Sequence, residues 1–175
     1  MSSSELLVDA FGRVQDAVRA ATEGLTEEQL AYRVDDDANS IGWLIWHLTR
    51  VQDDHVADVA GTDQVWTAAG WDKKFGLELD RLATGYGHSS ADVAKVRVSA
   101  KNLRAYFDAV HEQTLEFVSG LTDDDLPRIV DTAWDPPVTL GVRLVSVIED
   151  CLQHVGQAAF IRGVLERKPI RHSSL

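Results

Sequence analysis

Apolar residues recur along this chain at the three- and four-residue spacing of amphipathic helices, with polar residues filling the opposite faces. Across 4–22, Leu7, Ala10, Phe11, Val14 and Val18 mark one face of a first long helix, which Gly24 closes. Thr26 followed by Glu27, Glu28 and Gln29 is a capping box and opens a short helix ending near Tyr32. The polar run 35–39 reads as a loop. Ser40 then caps a second long helix over 40–60, with Ile41, Leu44, Ile45, Leu48, Val51 and Val59 on one side of the wheel. The segment 61–90 has no such period. It sets Trp66, Trp71, Phe75 and Tyr86 among Gly70, Gly76, Gly85 and Gly87, which predicts a packed loop with a short helix near Val65. Ser90 caps a third helical region running to 118, closed by Gly120. Residues 122–126 repeat the cap-and-acid pattern, Trp134-Asp135-Pro136-Pro137 forms a rigid loop, and Thr139 caps a last helix through 166. No strand is expected.

The stretch Gly24-Leu25-Thr26-Glu27-Glu28-Gln29-Leu30 matches Gly120-Leu121-Thr122-Asp123-Asp124-Asp125-Leu126. Two copies of long helix, short helix, loop and long helix predict an all-α four-helix bundle, with short connecting helices and a long aromatic loop between the second and third long helices. A chain of 175 residues suits a single domain over 1–168, with a C-terminal tail over 169–175.

Charge narrows the partners. The formal net charge of -11 repels phosphate backbones, and the one basic run is 167–171, so a nucleic-acid partner is not expected. No apolar run reaches membrane-spanning length and the start of the chain does not read as a secretion signal, which predicts a cytoplasmic protein with no membrane partner. Cys151 is the single cysteine, which excludes an intrachain disulfide and a multi-cysteine zinc site. A metal here would be held by histidines and carboxylates.

Such residues stand at suggestive spacing. Asp150 and His154 are four apart on the last helix, one turn above each other on one face, which suits two ligands of one ion. His47 on the second long helix is the candidate third ligand, leaving positions open for water or substrate. The same Asp-x-x-x-His spacing serves a surface ion pair equally well, and a lone core histidine is often only hydrogen-bonded. His55 competes with His47. In the internal repeat, aligned through Ile41-Gly42 and Leu140-Gly141, His55 is the counterpart of His154, so it is a second candidate as ligand, supporting group or core histidine. Glu149 faces another direction from His154, and Cys151 reads as a small buried hydrophobe.

The order Gly42-Trp43-Leu44-Ile45-Trp46-His47-Leu48, then a distant Asp150-x-x-x-His154-Val155-Gly156-Gln157, resembles the DinB/YfiT-like superfamily. It looks most like the actinobacterial branch related to mycothiol-dependent maleylpyruvate isomerase and the thiol S-transferases. The resemblance implies a four-helix bundle and a divalent metal, commonly zinc or nickel. One histidine of the second helix and a pair four apart on the last would hold it. His47 and His154 match two of those ligands. Asp150 stands where many members have histidine and the isomerase branch has glutamate, a longer carboxylate.

The function this implies is a metal-dependent transferase that uses a low-molecular-weight, mycothiol-like thiol on an electrophilic small molecule. The loop bearing Trp66, Trp71 and Phe75 would wall its pocket or simply pack over the bundle. Two other readings remain open at this point: a non-catalytic metal-binding stress or interaction module, as a homodimer, and a metal-dependent hydrolase. A metal-free bundle would use His47, Asp150 and His154 only for hydrogen bonds.

Overall fold

Serine and threonine side chains set where the helices begin. The structure, a computed structural model, describes residues 1–167. Ser2 and Glu5 form a reciprocal capping box that starts α1 (Ser3–Thr22), and Thr26 and Gln29 do the same for α2 (Glu27–Leu30). The Ser40 side chain accepts from the Trp43 amide to start α3 (Ile41–Ala60), and Gly61, in the left-handed region, ends it. After α4 (Val65–Ala68), α5 (Trp71–Phe75) and α6 (Ser90–Ala94) come α7 (Ala100–Ser119), a 3-10 turn at Asp123–Asp125, β1 (Ile129–Asp131), β2 (Val138–Thr139) and α8 (Leu140–Arg167).

The four long helices form the expected bundle, each packed against two others: α1 on α7 and α8, α3 on α7 and α8. Their inward faces carry a continuous apolar core that includes Phe11, Val18, Ile45, Leu48, Phe107, Leu144 and Cys151. Contacts along the helices give their directions. His47 meets Asp150 while His55 meets Arg143, so α3 and α8 are antiparallel. Arg50 meets Tyr106 and Thr62 meets Gln113, so α3 and α7 are parallel.

That parallel pair explains the long connection. A twenty-residue helix is about 30 Å long, and residues 61–99 must climb back along all of it before α7 can start. The ascent is visible in its bonds to α3: Trp66 to Asp53, Ala83 to Arg50, Thr84 to His47, His88 to Trp43. The stretch 61–89 is packed, as its aromatics predict, and holds two short helices, α4 and α5, rather than one.

Two expectations are corrected. The third helical region is two helices, α6 capped by Ser89 rather than Ser90, and α7 capped by Ser99. Between them Val96 and Val98 are buried and Arg97 is exposed, an alternation of period two that cannot continue a helix. The chain also has a small antiparallel sheet, with Ile129 opposite Thr139 and Asp131 opposite Val138, and Trp134-Asp135-Pro136-Pro137 lies in the turn between its strands. Strands of three and two residues are too short to show a sequence period; the Arg143–Asp131 ion pair at 2.7 Å ties this hairpin to α8. The tail expected at 169–175 lies outside the described residues, as does most of the basic run 167–171. Among the described residues no helix is long and apolar enough to cross a membrane.

Candidate metal centre

His47 sits in the second turn of α3, in a run of consecutive buried residues, and faces the middle of α8. Asp150 and His154 come from successive turns of α8. One ligand atom from each of these three residues lies within 4.8 Å of the others, the sole such group among the described residues. His47 Nε2 is 4.0 Å from Asp150 Oδ1, and the two imidazoles meet edge to face with centroids 4.5 Å apart.

Hydrogen bonds settle the tautomers. His47 Nδ1 lies 2.6 Å from the Thr84 carbonyl and His154 Nδ1 lies 2.8 Å from the Asp150 carbonyl. A carbonyl can only accept, so both Nδ1 atoms carry a proton, and the neutral His47 ring keeps its lone pair on Nε2. This backbone tether on the outer nitrogen is the usual support of a metal-ligating histidine. Trp43 stacks on His47 at 4.6 Å between centroids, 10° from parallel, and locks the ring's plane. Gly85 abuts the Nδ1 edge of the ring. It has φ +99°, and a Cβ there would stand 2.6 Å from His47 Nδ1, so the position admits no side chain.

The third member is short of donors. Asp150 Oδ2 is buried without a hydrogen-bond partner; His154 Nδ1 is 3.4 Å away but gives its proton to the Asp150 carbonyl. The His47 Nε2 lone pair and an unsatisfied carboxylate oxygen thus stand together beside a second imidazole, a donor set that fits a divalent cation. The histidines differ in basicity. Burial, partly offset by the Thr84 hydrogen bond, lowers the His47 pKa below the ordinary histidine value. Burial acts the same way on His154, but the Asp150 carboxylate and carbonyl outweigh it and leave His154 raised. Asp150 and His154 form an ion-pair contact with each other and also meet His47 across the helix interface.

His55 is not part of this group. It lies two turns further along α3, where Arg143 Nη1 is 3.0 Å from its Nδ1. The alignment of α3 with α8 that pairs His55 with His154 in sequence separates them in space, because antiparallel helices bring early residues of one to late residues of the other. Cys151 is fully buried, and burial pushes its thiol pKa far up, which leaves it inert as a nucleophile. Trp66 and Phe75 are buried, and neither they nor Trp71 line the cleft beside the candidate centre. The aromatics beside the candidate centre are instead Tyr86 and Trp134. They line, with His47, Asp150, His55, Arg143 and others, a cleft of about 740 Å³.

Sequence reading does not single out Thr84, Gly85 or Arg143. Gly85-Tyr86-Gly87 hints at a tight backbone approach, and Arg143, seven before Asp150, shares its helix face. Neither signal names a partner.

An all-α bundle whose second and last long helices bring two histidines and a carboxylate to one point is the DinB-like architecture. The chain belongs to the mycothiol S-transferase family, whose model matches residues 6–167. It is also similar to a solved structure, that of a conserved protein from Enterococcus faecalis. The two share 28% identity with a TM-score of 0.89, covering 96% of this chain and 99% of that one. No curated protein matches the chain.

Proposed function

We propose that this protein is a divalent-metal-dependent transferase that joins a low-molecular-weight thiol of the mycothiol kind to an electrophilic small molecule. The observation that carries the reading is the convergence of His47, His154 and the partly unsatisfied Asp150 carboxylate beside an open cleft. Two nitrogen donors and one oxygen donor suit a borderline ion, zinc or nickel. Such an ion, when bound, lowers a thiol's pKa and favours thiolate over thiol at neutral pH.

The chain's own residues do the rest. Thr84 and Trp43 hold the His47 ring in one tautomer and one plane. Asp150 contributes a single negative charge, which leaves a divalent centre able to balance one thiolate. The cleft supplies access for the electrophile: sulfur forms the new bond, the leaving group departs with its electron pair, and the thiol proton goes to solvent. Cys151, buried and protonated, leaves the nucleophile to the cosubstrate. A thiol cosubstrate and an unpaired cysteine both suit a reducing, cytoplasmic setting.

The test begins with metal content, by inductively coupled plasma mass spectrometry, of untagged protein beside His47→Ala, Asp150→Ala and His154→Ala. About one ion per chain in the parent, lost from all three variants, is expected. The loaded protein is then assayed with mycothiol against a panel of electrophiles. Turnover without thiol would instead assign a hydrolase, and metal without turnover a binding module.

A further inference from the structure

His55 and Arg143 form a second polar rung between α3 and α8. Eight residues separate His47 from His55 and seven separate Arg143 from Asp150, so the rungs stand about 10–12 Å apart along the helices. Both open on the same cleft, where Arg143 is the sole lysine or arginine beside Asp54, Glu149 and Asp150. An anionic group entering the cleft has one fixed side-chain cation to meet.

The guanidinium is not used up by its protein partners. It carries five N–H donors. Nη2 gives one to Asp131 Oδ2 at 2.7 Å and Nη1 gives one to His55 Nδ1 at 3.0 Å, while Nε–H is buried without an acceptor. Arginine only donates, so His55 accepts at Nδ1 and carries its proton on Nε2. That Nε2–H has no acceptor among the described residues. Burial and the neighbouring Arg143 charge both lower the His55 pKa, which keeps the ring neutral in this role. A mere pin between hairpin and helix needs only the Asp131 bond. Tyr86 at 94% exposure and Trp134 at 67% leave two aromatic surfaces in water at the cleft.

We propose that this rung is a carboxylate subsite. Arg143, its guanidinium held in place by His55, takes a carboxylate of a substrate whose reacting end lies at His47, Asp150 and His154, with Tyr86 and Trp134 flanking the part between. A planar carboxylate matches the guanidinium fork. The separation of the rungs selects acids whose carboxylate is remote from the reacting atom. The assignment of the far end rests on the thiol-transfer reading; the carboxylate rung itself does not.

The test is isothermal titration calorimetry on the full chain. Zinc-loaded protein is titrated with mercapto-octanoate and with mercapto-octanol, and metal-free protein with phenylpropionate and phenylpropanol. The acid of at least one pair is expected to bind about tenfold more tightly than its alcohol. Arg143→Met removes that preference, Arg143→Lys keeps part of it, and His55→Phe weakens it. Mercaptopropionate, too short to span the rungs, gains nothing over mercaptopropanol. Preference with mercapto-octanoate alone puts the carboxylate on the thiol; preference with phenylpropionate puts it on the electrophile. Because Arg143→Met also breaks an ion pair, Asp131→Asn serves as the second variant. It frees the guanidinium and should tighten acid binding, whereas a purely structural Arg143 predicts no gain. Equal binding of acid and alcohol in both pairs, or a preference surviving Arg143→Met, overturns the subsite. Acid preference in the metal-free protein with no thiol binding to the zinc form overturns the transferase reading and leaves the subsite standing.

Discussion

Two polar clusters lie on α3 barely one turn apart, and they are finished differently. Around Arg50, every charge is answered: its guanidinium, fully buried, donates to the Ala83 and Leu82 carbonyls and to Tyr106, and lies 3.4 Å from Asp53 Oδ2. Asp53 in turn accepts from the Tyr106 hydroxyl and from the Val65 and Trp66 amides, each at 2.8 Å. Around His47, the Nδ1–H donors of both histidines are tied to backbone carbonyls and Asp150 Oδ2 is left without a partner. The first cluster is complete as protein and welds the crossover to the bundle. The second leaves Asp150 Oδ2 buried without a partner, the place a cation would take under the proposed function. Completeness of hydrogen bonding, more than residue type, separates a structural network from a ligand site.

The largest effect expected from this contrast is at the finished cluster. Asp53→Ala strands a buried guanidinium and two amides, and should cost about 3–5 kcal/mol of folding stability by urea denaturation. His154→Ala should instead abolish metal binding while changing the urea midpoint of the metal-free protein little. If the two variants lose comparable stability without metal, the contrast is broken.

Gly85→Ala links the clusters, since Arg50 holds the two carbonyls just before Thr84. Its Cβ would push on the His47 ring, and losing that support should weaken metal affinity about 10–100-fold, read by competition with a chromogenic chelator. A subtler test is Asp150→Asn in metal-free protein near pH 8. Trading an unsatisfied carboxylate for an amide that can donate to a histidine lone pair should stabilise the fold by about 1 kcal/mol, while metal binding falls. No gain in the thermal midpoint would mean that the acceptors already have partners.

The smallest effect concerns pH. His111, buried on α7 against Phe107, has its pKa lowered chiefly by burial. A histidine lowered in the folded state binds protons more readily when unfolded. Its contribution is therefore intact above about pH 6.5 and is lost as pH falls below it. His111→Phe should flatten part of that decline in a series of melts from pH 8 to 5.

Much of this was legible in the chain. The 3.6-residue period and the caps at Ser40 and Thr139 place long helices, and the cap at Thr26 a short one, because helices are built from local spacing and local hydrogen bonds. The four-residue step from Asp150 to His154 is likewise local, and family resemblance adds His47. What the chain alone determined is therefore the existence of the four long helices and one face of the candidate centre. The tertiary structure decided the rest. Whether His47 or His55 joins Asp150 depends on α3 and α8 being antiparallel, which no spacing within either helix encodes. Thr84 reaches His47 because a parallel α3–α7 pair forces the intervening chain back along α3, and β1 and β2 exist because their few residues find each other across a turn. These are contacts between distant segments, and their energy appears only when the chain is packed.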